Sequence, residues 1–213
     1  MSILKLVVLI SGSGSNLQAI IDAIEAGRLD AEISAVVSNR PGAYGLERAR
    51  QHGIDAVALD HTDYPDRAGF DRKLIKLIDP YQPDVIVLAG YMRILTEGFI
   101  DHYSPRMLNI HPSLLPRYQG LNTHQRALDA GDHEHGVSIH VVTPQLDAGP
   151  VIVQARFPIE PDDDAVSLQQ KGHALEHQMY PRVLQWLAEN RLQLDQTQPR
   201  FDDEPLASPL AWS

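Results

Sequence analysis

Short apolar runs rich in valine and isoleucine alternate along the chain with longer amphipathic stretches. The apolar runs predict strands at residues 4–10, 33–37, 56–59, 85–89, 107–110, 137–142 and 150–157. Apolar positions at helical spacing predict helices at residues 15–28, 45–52, 67–78 and 123–130. Strands that alternate with helices in this way are typical of βαβ units. The pattern therefore predicts an α/β fold with a doubly wound, mostly parallel twisted sheet and flanking helices.

A longer helix is predicted after the acidic run 162–164, whose carboxylates would complement the positive end of the helix dipole. Pro181 is expected to kink or interrupt this helix. From residue 193 onward, three prolines and several acidic residues occur without an apolar period. We therefore predict a single domain over residues 1–192 and a polar, proline-containing C-terminal tail over residues 193–213, mobile or loosely docked.

Composition narrows the class of protein. The 213 residues carry a formal net charge of −10 without any Lys/Arg block, which argues against a nucleic-acid partner. No apolar stretch reaches the roughly 20 residues of a membrane span, and no signal-peptide pattern occurs. Because cysteine is absent, disulfides and thiolate catalysis are excluded. The expectation is a cytoplasmic protein that acts on small molecules.

Asn109 and His111 lie two residues apart at the end of an apolar run. On a strand they share one face, whereas Leu108 and Ile110 point into the core. Pro112 cannot continue a sheet ladder, so the strand should end with the imidazole at its carboxyl end. Ligands bind at that edge in open α/β sheets, which makes the pair a candidate reaction centre.

A glycine- and serine-rich turn at residues 11–16 follows the first strand and opens the first helix. Gly12 and Gly14 let backbone amides approach an anion, and the helix N-terminus favours a phosphate there. The spacing is not that of a dinucleotide fingerprint or a P-loop, but Ser15 and Asn16 could bond a monophosphate. The alternative is a tight turn in which serine or asparagine caps the helix.

Two further loops carry candidate chemistry. Residues 92–95, Met-Arg-Ile-Leu, could line an apolar slot for a flat ring, although such a run is also typical of plain core. Asp147 stands in a Pro- and Gly-rich turn, where it could keep His111 charged or only bond the backbone.

Two other groups of histidines are not expected to take part in catalysis. His140 is interpreted as a packed residue behind the site. The His133-Glu134-His135 run is interpreted as an exposed loop, and no metal site is expected.

Four motifs together resemble the phosphoribosylglycinamide formyltransferases, a branch of the folate-dependent formyltransferase superfamily. The match runs from about residue 6 to about residue 192. It rests on the turn at 9–18, the run at 83–95, the Asn-Ile-His-Pro-Ser-Leu-Leu-Pro stretch at 109–116 and Leu-Asp-Ala-Gly-Pro at 146–150. The family usually has proline where Gln119 stands, which affects only the local loop shape.

The resemblance implies a Rossmann-like formyltransferase fold and an enzyme of de novo purine biosynthesis. Its reaction would move the formyl group of 10-formyltetrahydrofolate to the amine of 5'-phosphoribosylglycinamide, giving formylglycinamide ribonucleotide and tetrahydrofolate. Asn109, His111 and Asp147 match the catalytic trio. The implied ribonucleotide contacts are Gly14, Ser15, Asn16 and Glu176, and the implied folate contacts are Arg67, Met92, Arg93, Ile94, Leu95 and Asn109.

Three alternatives share parts of this pattern. A methionyl-tRNA formyltransferase would need a basic tRNA surface, which the charge of −10 argues against. A formyltetrahydrofolate deformylase-like hydrolase would cleave the same donor without a ribonucleotide. A non-catalytic protein could bind nucleotide and folate only. A monomer and a homodimer are equally compatible with the sequence.

Overall fold

The computed structural model describes residues 3–212, so the outermost residues of the predicted domain and tail lie outside it. Its helices are α1 (Ser15–Glu25), α2 (Tyr44–Gln51), α3 (Arg67–Ile78), α4 (Glu97–Tyr103), α5 (Thr123–Asp129) and α6 (Ala165–Ala188). Its longer strands are β1 (Leu4–Ile10), β2 (Ala31–Ser38), β3 (Ala56–Ala58), β4 (Val85–Leu88), β5 (Met107–His111), β6 (Glu134–Val141) and β7 (Val151–Pro158). Four two-residue strands follow, namely β8 (Leu192–Gln193), β9 (Arg200–Phe201), β10 (Glu204–Pro205) and β11 (Leu210–Ala211).

The main sheet has the strand order β11-β7-β6-β5-β4-β1-β2-β3. Strands β3, β2, β1, β4 and β5 run parallel, whereas β6 is antiparallel to both β5 and β7. The predicted α/β class with a mostly parallel sheet is confirmed. The chain order reverses between β1 and β4, and crevices at such a switch point bind ligands in open α/β sheets.

Both faces of the sheet are buried, which explains the continuous apolar sequence of β1. Leu6, Val8 and Ile10 join one core cluster with residues of α1 and α6. Val7 and Leu9 point the other way, into a cluster with residues of α3 and α4. The two-residue period of the strand therefore supplies two cores.

Helix α4 was not predicted from the sequence. Its signal is nevertheless present, because the Thr96 hydroxyl caps the helix by accepting from Phe99 N–H at 3.4 Å. Phe99, Ile100 and Tyr103 are buried at helical spacing.

Pro181 does not interrupt the long helix, because α6 continues through it to Ala188, and the expected kink stays a prediction. Proline leaves one carbonyl without its helical partner. Burial of neighbouring side chains offsets this loss, since Tyr180, Val183 and Leu184 are fully buried. The Tyr180 hydroxyl lies 3.0 Å from the carbonyl oxygens of both Leu88 and Leu108, which fastens α6 to β4 and β5.

The interpretation of residues 193–213 as mobile or loosely docked is wrong for the part that the structure describes. Strands β8, β9 and β10 form a small antiparallel sheet, and β11 pairs with β7 at the edge of the main sheet. Phe201 packs edge-on against Trp186 with ring centroids 4.9 Å apart. Scattered apolar residues thus dock the segment without the regular period that sequence patterns detect. Among residues 3–212, no helix is both long and apolar enough to cross a membrane.

Candidate active site

The candidate site lies where the ends of β1, β4 and β5 meet. The turn at residues 11–16 follows β1, residues 90–95 follow β4, and His111 is the last residue of β5. Leu108 is fully buried and Ile110 is 6% exposed, both in the core, as predicted from their alternation with Asn109 and His111. The loop between β6 and β7 folds back over the sheet, because Asp147 lies beside both His111 and His140.

His140 fixes the orientation of the Asn109 amide. His140 Nδ1 lies 2.9 Å from the carbonyl oxygen of Val141, which can only accept, so Nδ1 carries the hydrogen. Burial lowers the pKa of His140 and keeps its ring neutral. Its Nε2 must therefore accept, and it takes a hydrogen bond from Asn109 Nδ2 at 3.0 Å. The second N–H of the Asn109 amide is left for another acceptor.

His111 lies against a carboxylate and a carbonyl. Its Nδ1 is 3.4 Å from Asp147 Oδ2, and its Nε2 is 2.9 Å from the carbonyl oxygen of Tyr118. Both neighbours offer acceptor oxygens: Nε2 forms a hydrogen bond with the Tyr118 carbonyl, whereas Nδ1 lies at ion-pair distance from the carboxylate. The side chains of His111 and Asp147 are only 7% and 10% exposed. Water therefore screens this pair weakly.

Asp147 is held in place by backbone geometry as well as by the imidazoles. Its φ is 49°, a left-handed conformation that aspartate and asparagine tolerate better than most residues. Gly120 N–H donates to Asp147 Oδ2 at 2.9 Å, and Gln119 Nε2 donates to the Asp147 carbonyl at 3.1 Å. Oδ1 lies 3.7 Å from His140 Nε2. The Asp147 carboxylate thus faces the imidazole rings of His111 and His140. Burial keeps the His140 ring neutral.

The turn at residues 11–16 joins the first helix to α6. Gly14 has a φ of 69°, and a side chain there would meet the Cα of Gly45 at 2.7 Å. Asn16 Nδ2 donates to Glu176 Oε2 at 2.7 Å, with both residues buried. Asn16 Oδ1 is buried and has no hydrogen-bond partner among residues 3–212. Beside the turn, an open cavity of about 310 Å³ is lined by Ser15, Gln18, Ala19, Asp22, Arg28, Arg48 and His177.

The segment at residues 92–95 presents apolar side chains to the outside. Met92 is 57% exposed and Ile94 is 52% exposed, whereas Leu95 belongs to the core. Leu146, next to Asp147, is 51% exposed. Exposed large apolar side chains near a polar site are typical of ligand-binding surfaces.

The two arginines predicted to contact folate differ in their surroundings. The Arg93 guanidinium lies over the Phe70 ring, 4.5 Å from its centroid. Arg67 is exposed at the first position of α3, the helix that also carries Phe70. Both arginines therefore adjoin the same helix, but within residues 3–212 no hydrogen bond or ion pair joins Arg67 to the other predicted site residues.

Sequence reasoning missed several features of this region. The pairing of His140 with Asn109 was not foreseen, although burial of His140 agrees with the interpretation of a packed residue. His133 and Glu134 are exposed, as expected for this run, but the loop interpretation is wrong for its second half, because β6 begins at Glu134 and His135 is buried beside His124. Arg48 also went unnoticed, and its Nε donates to the Ser13 carbonyl at 2.8 Å. Within residues 3–212, no three metal-ligating side chains cluster.

Comparisons with known proteins agree with this geometry. A family model described as formyl transferase matches residues 4–184. The phosphoribosylglycinamide formyltransferase of Escherichia coli (strain K12) is 49% identical over 203 residues, covering 95% of this chain and 96% of the relative. The enzyme of that name from Haemophilus influenzae is 43% identical and covers 95% of each chain. The solved phosphoribosylglycinamide formyltransferase of Coxiella burnetii, in complex with CHES, is 55% identical with a TM-score of 0.95 over 100% of both chains.

Proposed function

The chain belongs to the formyl transferase family, and we propose that it transfers a formyl group from 10-formyltetrahydrofolate to the amine of 5'-phosphoribosylglycinamide. The products are formylglycinamide ribonucleotide and tetrahydrofolate, in cytoplasmic purine biosynthesis. Relatives named phosphoribosylglycinamide formyltransferase match almost the whole chain, which supports the activity. The assignment of the donor and of each residue's role rests on the site described above.

The observation that carries the proposal is the chain of contacts from His140 through Asn109 to the open site. Because His140 Nε2 accepts one N–H of the Asn109 amide, the other N–H is oriented and has no acceptor among residues 3–212. When the ribonucleotide amine adds to the formyl carbon, the formyl oxygen gains negative charge. Asn109 donates a hydrogen bond to that oxygen, as donors in oxyanion holes do.

His111 and Asp147 supply charge and proton transfer. Asp147 stabilises the imidazolium of His111 at 3.4 Å, and that cation stabilises the developing oxyanion. As the tetrahedral centre collapses, the bond from the formyl carbon to N10 breaks, the amine loses a proton and N10 gains one. We assign this transfer to the His111 and Asp147 pair: the Nε2–H of the imidazolium leaves the Tyr118 carbonyl to protonate N10, and the proton of the amine then restores the imidazolium.

The two binding regions fit the two substrates. Backbone amides of the turn at Gly14, Ser15 and Asn16 suit the ribonucleotide phosphate, and the buried Glu176 carboxylate suits hydroxyl groups that donate. On the donor side, Met92 and Ile94 expose large apolar surface beside the site. This surface suits the flat pterin ring, while Arg67 and Arg93 suit the acidic end of folate.

A single assay tests the proposal. Purified protein is mixed with 10-formyltetrahydrofolate, with and without 5'-phosphoribosylglycinamide, and release of tetrahydrofolate and of formate is followed. We expect tetrahydrofolate release that requires the ribonucleotide and yields no formate. Formate release without ribonucleotide would instead identify a hydrolase, and binding without turnover would identify a non-catalytic protein.

A further inference from the structure

The segment at residues 92–95, here called the donor segment, is held at both ends by buried side chains. Ser11 Oγ accepts the backbone N–H of Met92 at 2.8 Å. Asp71 Oδ2 accepts the backbone N–H of Thr96 at 2.6 Å. Ser11 is 4% exposed and Asp71 is 1% exposed, so both hydrogen bonds are largely shielded from water.

The direction of the Ser11 hydrogen bonds is fixed by its single hydroxyl hydrogen. That hydrogen is donated to Asn39 Oδ1 at 2.5 Å, which leaves a lone pair facing Met92 N–H. Asn39 is itself 2% exposed. The backbone N–H of Ser11 donates to the Gly90 carbonyl at 3.1 Å, so the end of β1 and the end of β4 are joined twice at this residue.

Asp71 belongs to a buried polar group beneath the donor segment. Three atoms of this group have no hydrogen-bond partner among residues 3–212: Asp71 Oδ1, the Tyr91 hydroxyl and Arg93 Nε. Burial raises the pKa of Tyr91, the charge of Asp71 raises it further, and the charge of Arg93 lowers it. Asp71 and Arg93 both lie close enough to Tyr91 for their charges to act on its hydroxyl.

We propose that Ser11 and Asp71 are positioning residues for the formyl donor, an inference that rests on the proposed function. They fix the backbone of the donor segment, so that Met92 and Ile94 present their apolar surface at the correct place. Neither residue touches the reacting atoms in this scheme. Ser11 acts through Met92, and Asp71 acts through Thr96.

The ribonucleotide side has anchors of its own. Gly45 N–H donates to the Gly12 carbonyl at 3.0 Å, and Arg48 Nε donates to the Ser13 carbonyl at 2.8 Å. Loss of the Ser11 hydroxyl leaves these bonds intact, together with the Ser11 N–H bond to Gly90. Loss of the Ser11 hydroxyl should therefore weaken binding of the formyl donor much more than binding of the ribonucleotide.

The first test is Ser11→Ala, with KM measured for each substrate and with binding of tetrahydrofolate measured by calorimetry. We expect the KM for 10-formyltetrahydrofolate and the dissociation constant for tetrahydrofolate to rise about tenfold, the effect of one lost hydrogen bond. The KM for the ribonucleotide should stay within about twofold. Ser38→Ala is the matched control, because Ser38 is fully buried and, among residues 3–212, its hydroxyl bonds only Arg40. It should change neither KM.

The second test approaches from the other end of the segment. Asp71→Ala removes the acceptor for Thr96 N–H and should raise the KM for the donor about tenfold. Asp71→Asn keeps an oxygen that can accept this N–H and should restore most of the donor affinity. If Ser11→Ala does not fold, Ser11→Cys replaces it in the test. Its thiol keeps a weak acceptor, so the KM for 10-formyltetrahydrofolate should rise less than tenfold.

The outcomes separate the two proposals. Equal shifts in both KM values, unchanged donor binding in Ser11→Ala and Asp71→Ala, or a Ser38→Ala variant that behaves like Ser11→Ala would each overturn the positioning role. A wild-type protein without ribonucleotide-dependent transfer would overturn the proposed function instead. In that case, tetrahydrofolate binding by the variants still reports on the donor segment.

Discussion

Replacing Asp147 by asparagine removes one charge from the candidate site and little else. Asparagine tolerates the φ of 49° at this position, and its side-chain oxygen can still accept Gly120 N–H at the place of Oδ2. The substitution is therefore expected to preserve the fold while it removes the carboxylate that faces His111. Any loss of activity then reports on the charge.

The expected size of this loss follows from the distance. At an effective dielectric constant of about 20, unit charges 3.4 Å apart, as for His111 and Asp147, attract by about 5 kcal/mol. Desolvation of the pair offsets part of this attraction. A remaining loss of about 3 to 4 kcal/mol in the transition state corresponds to a fall in kcat of about 10²–10³.

The assay is the initial rate of ribonucleotide-dependent tetrahydrofolate release at saturating concentrations of both substrates. Glu134→Gln is the matched control, because it also removes one negative charge from an ion pair. That pair, Glu134 with Arg156, has side chains 50% and 56% exposed and should contribute little. A folded Asp147→Asn protein whose kcat lies within about threefold of the wild type would refute the role of the charge.

Three further predictions follow from the same geometry. Asn109→Ala should lower kcat by about 10²–10³ because an oxyanion donor is lost, and unchanged turnover would refute that assignment. Ser15→Ala combined with Asn16→Ala should raise the KM for the ribonucleotide far more than that for the donor, and equal effects would contradict the phosphate site. Burial and the nearby charge of His135 lower the pKa of His124 to about 4, so its contribution to stability is present above pH 6.5 and is lost as the pH falls toward 4. Urea unfolding of His124→Asn should therefore show a weaker dependence on pH over this range than the wild type, and an identical dependence would exclude the effect.

The parallel part of the sheet could be predicted because its sequence signals are local. Strand β1 matches its predicted bounds, and α3 matches them as well, since a continuous apolar run and a regular helical period each depend on neighbouring residues. Helix α4 has only seven residues and follows the apolar donor segment. There the helical period is too short to stand out from the apolar residues before it.

The proximity of the Asp147 carboxylate to the His111 ring could not be derived from the hydrophobic pattern of the sequence alone. Strand β6 is buried on both faces, and such a run carries no sign of its direction. Because β6 is antiparallel to β5, its carboxyl end lies beside Leu108 rather than beside His111. The following loop has to fold back over the sheet before its carboxylate meets the imidazole.

The orientation of Asn109 depends on register, which a sequence does not show. Asn109 lies directly opposite His140 in the antiparallel pair of β5 and β6, and opposed residues share a face. On the other side of β6, the pairing with β7 shifts between Ile139 and His140, so an irregularity lies at this same residue. Such irregularities change the direction of side chains and are common next to active sites. A slip of one residue would turn His140 to the opposite face and leave the Asn109 amide without the acceptor that orients it. The reactivity assigned to Asn109 is therefore a property of the sheet register as much as of the residue itself.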